Sequence, residues 1–199
     1  MSETLDQTPA AVFPPGRYGR RDGPAGVRLR VLSGRALVQV MARGGNDHSI
    51  RDAVRSKYQL ALPQTPLLAR GPQLSFLWNG HLTWLAVADE GLIPDLESAL
   101  CNDLGPLASL SDQSDSRFTV ELSGSRARDA LAKLAPVDLH PRAFRPGDTA
   151  MTLLGHLTGQ ITQIDVTPSY ELMVFRGFAE SFLHDLLEAG AEFGVEAIG

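Results

Sequence analysis

Cysteine, lysine and long apolar runs are nearly missing from this chain, and each shortage closes a class of function. Cys101 is the single cysteine in 199 residues, which excludes an internal disulfide framework and a cysteine-rich zinc site. A reducing, cytoplasmic setting is the expectation, with Cys101 read as a small buried hydrophobe on a helix. Lys57 and Lys133 are the only lysines, and both fall on solvated helix faces, a poor setting for a Schiff-base amine. No run reaches the roughly 18 apolar residues of a membrane-crossing helix, and the N-terminus lacks the basic-then-apolar order of a signal peptide. No membrane partner is expected. An excess of basic residues is missing too: the formal net charge is −5 and the pI near 5.5. Nucleic acid is therefore not an expected partner, because phosphate binding gathers Lys and Arg.

Catalytic patterns are equally scarce. His48, His81, His140, His156 and His184 include no pair four apart, the spacing that puts two imidazoles on one helix face for a metal. There is no G-x-S-x-G elbow, no Walker lysine loop and no G-x-G-x-x-G after a strand. No catalytic residue, cofactor-binding residue or metal ligand is assigned from the residues.

What is present is enough apolar content, 43%, for a real core. Residues 1–26 are rich in Pro, Gly and Arg and read as a mobile arm. Arg17, Arg20 and Arg21 give that arm a way to order on an acidic partner surface, the alternative being a solvated tail. Residues 27–42 alternate as two strands joined at Ser33 and Gly34, a hairpin. A helix follows, with Ile50, Ala53, Val54 and Tyr58 inward, and strands at 74–78 and 82–88 flank Asn79-Gly80, a favoured two-residue turn. Leu96, Leu100 and Leu104 line a helix begun by Pro94 and ended by Gly105. Trp78 and Trp84 read as a cross-strand core pair, with an exposed patch as the alternative.

The second half opens on a polar linker, SLSDQSDS. A strand at 118–122 has Phe118, Val120 and Leu122 on one face. Ser125 is placed to cap a helix with Ala127, Ala130, Leu131 and Leu134 inward. Strands at 149–154, 160–166 and 170–175 and an amphipathic helix at 178–189 ending at Gly190 complete it. The expectation is an α+β fold of two pseudo-repeated subdomains, residues 27–110 and 111–199, packed as one unit because each half alone is marginal in size.

One segment stands out as a display loop. DLHPRAF places His140, Arg142 and Phe144 within five residues on a chain stiffened by Pro141, and Arg and aromatic side chains dominate interface energetics. The alternative is a packed corner in which His140 bonds backbone and Phe144 enters the core.

The stretch DQSDSRFTVELSGSRARDALAKLAPVDLHPRAF at residues 112–144, with GFAESFLHDLLEAGAEFG at 177–194, resembles the gamma subunit of bacterial heterotetrameric sarcosine oxidase. The likeness extends more loosely back to about Leu60, and Ser125 departs from the proline of that pattern. The resemblance implies the folate-binding fold of aminomethyltransferase, the glycine-cleavage T-protein, without its activity, since no matching acidic motif is found. It further implies a non-catalytic subunit of a complex that oxidises sarcosine to glycine, with hydrogen peroxide and methylene-tetrahydrofolate as products. FAD, FMN, NAD, tetrahydrofolate and zinc would then belong to alpha, beta and delta partner subunits. A free-standing folate-binding or aminomethyl-transfer protein, the small subunit of a related N-methyl amino acid dehydrogenase, and a general interaction module stay open as alternatives.

Overall fold

The computed structural model describes residues 14–89 and 91–198, so the first half of the expected arm, up to position 13, lies outside the described residues. The chain divides into two units whose segments interleave in sequence. One contains residues 33–117 and 147–150, and the other residues up to 32, 118–146 and 151–199. This differs from the sequential division expected at residue 110.

The first of these, the inserted unit, is built on a five-stranded sheet of order β4-β5-β6-β3-β7. Its strands are β3 (Ala36–Ala42), β4 (Leu68–Arg70), β5 (Ser75–Gly80), β6 (Thr83–Ala88) and β7 (Ala108–Asp112). Every neighbouring pair is antiparallel. Helices α1 (Asp47–Tyr58) and α2 (Leu96–Leu104) bring Ile50, Val54, Leu96, Leu100 and Leu104 into one buried cluster with Val38, Val40, Phe76, Trp84 and Ala86. Each buried Val, Leu, Ile or Phe of this cluster contributes about 1.5–3 kcal/mol on leaving water. Asp47 in the first turn of α1 and Arg55 and Lys57 in its last complement the helix dipole. The α2 cap is Asp95, whose carboxylate accepts from the Ser98 amide at 2.9 Å, one residue beyond the expected Pro94.

Three expectations are corrected here. Residues 27–42 do form two strands, but they do not pair with each other. β2 (Val27–Leu32) belongs to the other sheet, between β12 (Val195–Ile198) and β8 (Arg117–Ser123), while β3 lies between β6 and β7. Alternation marks a strand and its wet face, not its neighbour. The hairpin at 75–88 exists, but β5 runs through Asn79 and Gly80 with a bulge after Trp78, and His81 and Leu82 make the turn. Leu82 holds a left-handed φ of 52° because its side chain packs against the core, which offsets a strain of about 1–2 kcal/mol. Half of the polar linker is strand: β7 pairs with β3 through Val38 and Asp112. As for the tryptophans, Trp84 is buried and donates its indole N–H to the Pro63 carbonyl at 2.7 Å, while its cross-strand partner Trp78 is half-buried.

The second, or terminal, unit carries a seven-stranded sheet of order β1-β12-β2-β8-β11-β10-β9. The strands not yet placed are β1 (Gly16–Tyr18), β9 (Thr149–Leu154), β10 (Leu157–Asp165) and β11 (Ser169–Phe175). β12 lies parallel to β2, and β1, β2 and β12 bring both ends of the described chain into one half of the sheet. Val27, Leu29, Val120, Leu122, Ile161, Tyr170, Leu172 and Val174 are all buried. Helices α3 (Ala127–Ala132) and α4 (Ala179–Gly190) contact each other, α3 touching β2 and α4 touching β11. They contribute Ala127, Ala130, Leu131, Phe182, Leu183 and Leu186 to the core. Phe178, the first residue of the helix expected at 178–189, is 48% exposed, because a 3-10 turn over Arg176–Phe178 precedes α4 and carries it outward. Among the described residues no helix is long and apolar enough to cross a membrane.

Described arm residues are docked, not loose. β1 pairs with β12, the Arg20 amide donates to Ala191 O at 2.8 Å and the Gly26 amide to Phe193 O at 3.0 Å. The close approach depends on Gly194, at φ +73°, where an added Cβ would meet the Arg20 carbonyl oxygen at 2.7 Å. Gly194→Ala is accordingly expected to lower urea-unfolding stability by about 2 kcal/mol or more. Gly44→Ala, where a Cβ meets nothing within 4 Å, should change it by less than about 0.5 kcal/mol. Equal effects at both positions would contradict the docked strap.

Candidate partner interface

The strap formed by residues 16–26 walls a cleft of about 470 Å³ in the terminal unit, lined by Arg20, Pro24, Ala25, Gly26, Ser125, Arg126, Glu192 and Phe193. The Arg126 amide donates to Gly26 O at 2.9 Å, joining the strap to the turn that follows β8. The Arg126 guanidinium stands 4.5 Å from the Phe193 ring centroid and the Lys133 ammonium 4.7 Å, both within cation–π range. Arg126 also pairs with Asp129 at 2.9 Å. Lys133 donates to Ala189 O at 2.8 Å and pairs with Glu192, and that pairing holds the Glu192 carboxyl below its ordinary range. Glu192 is thus neutralised locally. Arg20 is exposed and its side chain meets no charged partner among the described residues, so the cleft offers positive charge at its rim over an aromatic floor. Such a surface suits an acidic side chain or terminal carboxylate.

The residues expected to face partners are distributed unevenly. Arg17 is exposed but spends its guanidinium on Gly23 O at 2.8 Å, which fixes the strap's own turn. Arg20 and Arg21 are exposed, and Arg20 alone of the three lines the cleft. In the DLHPRAF loop, His140 and Arg142 are exposed, while Phe144 is buried at 5% exposure; its assignment to an interface is corrected. The loop is a single turn closed by the Ala143 and Phe144 amides on His140 O at 2.8 and 2.9 Å. His140 Nδ1 accepts from the Arg142 amide at 3.2 Å and Asp138 from the His140 amide at 2.9 Å. Phe144 anchors this turn inward and leaves the His140 ring and Arg142 outward.

Arg126, Glu192 and Phe193 carry no sequence signal, and Ser125 carries one only as an expected helix cap. Ser125 does not cap α3, whose N-cap is Arg126 without a side-chain bond; it lines the cleft instead. The GSR and AEFG segments that meet there are far apart in the chain, and no local periodicity connects them. Cys101 is exposed on α2, a correction to its expected burial: Leu100 and Leu104 face the core and position 101 points away. Among the described residues no three His, Cys, Asp or Glu side chains come together as metal ligands.

The inserted unit has a smaller cleft, about 160 Å³, lined by Tyr58, Gln59, Leu60, Pro72, Leu74 and Ile93 among others. Beside it the Tyr58 hydroxyl donates to Asp103 at 2.5 Å and Lys57 pairs with the other oxygen at 2.9 Å. Burial, then the neighbouring carboxylate, pushes Tyr58 well above its ordinary value. The hydrogen bond from Tyr58, then that from Lys57, holds Asp103 below the ordinary 3.8.

The sarcosine oxidase gamma subunit family matches residues 43–192, three quarters of the chain. The chain belongs to the sarcosine oxidase gamma subunit family. It is 34% identical over 124 residues to sarcosine oxidase subunit gamma of Corynebacterium sp. (strain P-1), covering 61% of this chain and 59% of that one. It is 37% identical over 120 residues to the corresponding protein of Arthrobacter sp., covering 59% and 57%. These alignments thus span under two thirds of the curated relatives. Among solved structures, a chain of heterotetrameric sarcosine oxidase from Corynebacterium sp. U-96, in complex with pyrrole 2-carboxylate, superposes with a TM-score of 0.78 at 25% identity. That match covers 95% of this chain and 96% of the other. Glycine cleavage system aminomethyltransferase T from Bartonella henselae matches at TM-score 0.64 and 17% identity, over 88% of this chain and 48% of that one. The gamma subunit family member therefore has the T-protein fold.

The Tyr58–Asp103 pair makes a pH-dependent contribution whose sign follows from the lowered carboxyl. It is present above the unfolded value and lost as pH falls through the folded one. Asp103→Asn should flatten the acid limb of the stability profile below about pH 4, and Tyr58→Phe should move the Asp103 titration, followed by carboxyl NMR, upward toward 3.8. An unmoved Asp103 titration in Tyr58→Phe would contradict the assigned cause.

Proposed function

We propose that the chain acts as the non-catalytic gamma subunit of a heterotetrameric sarcosine oxidase-type complex, supporting its assembly and the transfer of its intermediate. The supporting observation is the match over nearly the full length of both chains to a component of heterotetrameric sarcosine oxidase, within a family defined by that subunit. On this reading the complex, acting in the cytoplasm, oxidises sarcosine to glycine with release of hydrogen peroxide and formation of 5,10-methylene-tetrahydrofolate. FAD, FMN, NAD, tetrahydrofolate and zinc are held by the alpha, beta and delta subunits. The contribution of this chain is surface: the Arg20–Arg126 cleft, with Arg21 beside it, receives an acidic group of a partner, and the His140–Arg142 turn presents a second rigid contact.

Co-expression with the partner subunits, followed by size-exclusion chromatography with flavin absorbance, tests the role. The chain should co-elute with a yellow complex that turns over sarcosine, and its omission should lower complex yield or methylene-tetrahydrofolate formed per sarcosine oxidised. Elution as a colourless free chain would refute the subunit role, and a complex made without it that keeps both flavins and its full product yield would refute the supporting role. Within a formed complex, Arg20→Glu with Arg21→Glu should weaken association about tenfold and steepen nothing else, with the wild-type affinity falling as salt rises.

A further inference from the structure

The four sheet edges are built differently. β1 has three residues, follows Pro14 and Pro15 and carries Arg17. β4 also has three, ends on Arg70 and lies between Pro66 and Pro72. β7 follows Pro106 and carries Ser109, Ser111 and Asp112. Short length, proline and charge are the devices by which an edge avoids pairing with another chain. β9, the edge beside β10, has none of them. Its six residues, TAMTLL, include no charge and no proline, and Met151 and Leu153 are 44% and 48% exposed.

The backbone direction along β9 follows from its ends. The Thr149 amide donates to Pro66 O at 3.1 Å and the Gly155 amide to Leu134 O at 2.9 Å, each to a residue outside β10. Met151 and Leu153 share their parity, so the two-residue period turns the N–H and C=O groups of both to the outer side. Among the described residues no backbone bond meets them there. Gly155, at φ +63°, starts a two-residue turn with His156, as a type II′ hairpin requires, and this turn sets Leu153 across from Thr158. The Gly159–Val174 pair then sets Thr158 across from Phe175, itself 43% exposed. Leu153 and Phe175 are therefore exposed on the same face of the sheet, on either side of Thr158.

We propose that Met151–Leu153 of β9 accept a strand of a partner subunit, which extends the seven-stranded sheet by β-augmentation. This deepens the assembly reading above and rests on it. Outward donors and acceptors at a two-residue period are matched by an extended backbone and not by a helix or a side-chain patch. The uncharged edge and the Leu153–Phe175 surface specify a neutral segment with apolar residues at alternate positions.

The test uses the full chain, alone and in the co-purified complex, with residue-resolved amide exchange as readout. Met151 and Leu153 amides should exchange fast in the free chain and slow by about tenfold or more in the complex. Leu153→Lys, which leaves the backbone intact, and Met151→Pro, which removes one outward amide and no bond to β10, should each weaken association about tenfold or more. Unchanged circular dichroism and melting of the free variants would exclude misfolding as the cause. Wild-type co-elution together with undiminished binding by both variants, or with amides that stay fast, overturns the strand proposal alone. Failure of the wild-type chain to co-elute overturns the assembly reading beneath it. Protection already present in the free chain overturns the proposal in favour of another occupant: residues 1–13 if their deletion abolishes it, or a second copy if it follows a concentration-dependent dimer that Leu153→Lys dissolves.

Discussion

The parallel pairing of β2 with β12 is the constraint on which the terminal unit depends. Val27 to Arg30 lie against Val195 to Ile198, a contact between positions more than 160 residues apart that must form across the whole intervening chain. It seats β2 between β12 and β8 and gives β1 a strand to pair with. It also brings residues 191–194 under the strap at residues 16–26. The Arg20–Phe193–Arg126 cleft is a consequence of that one closure, since each of its three walls comes from a different stretch of sequence.

Because β2 is committed to one sheet and β3 to the other, the three residues Ser33 to Arg35 are a covalent crossing from unit to unit and not a hairpin turn. The inserted unit is thus enclosed in sequence by the terminal one. Its own core is local: α1, α2 and the antiparallel β5–β6 hairpin all lie between Asp47 and Leu104. The terminal unit has the opposite character, with its most important pairing non-local and parallel, the slower kind to form.

This contrast explains what was legible from the residues alone. Helices α1 and α4 are legible through period 3.6, because one face of each is buried, and β8 through its alternating Phe118, Val120 and Leu122, although Thr119 between them is buried as well. Where a turn residue carried the reading, it slipped: Asn79-Gly80 was displaced by Leu82, whose packing overrode its dislike of positive φ. Strand partners could not be read, since alternation is the same whichever neighbour a strand takes, and β12, four residues long, is too short to show a period. Phe144 and Cys101 exchanged their expected places for a related reason. Residue type gives an average burial, but the helix phase at Leu100 and Leu104 and the turn closed on His140 decide the individual case. The cleft's Arg126 and Phe193 carried no local signal at all, being made neighbours by a closure remote in sequence.

The interleaving of the units has a consequence for synthesis on the ribosome. Residues 33–117 are complete, and able to bury their core, while the polypeptide still lacks β9 to β12. The seven-stranded sheet cannot close until the chain has been made through Ile198: β8 can pair with one side of β2 once residue 123 has been made, but the side that takes β12 stays open to the end. A chaperone or an early-arriving partner subunit that shields β2 and β8 during that interval would raise the yield of native chain, whereas one that acts only after release would find the sheet already committed to closing or to aggregation.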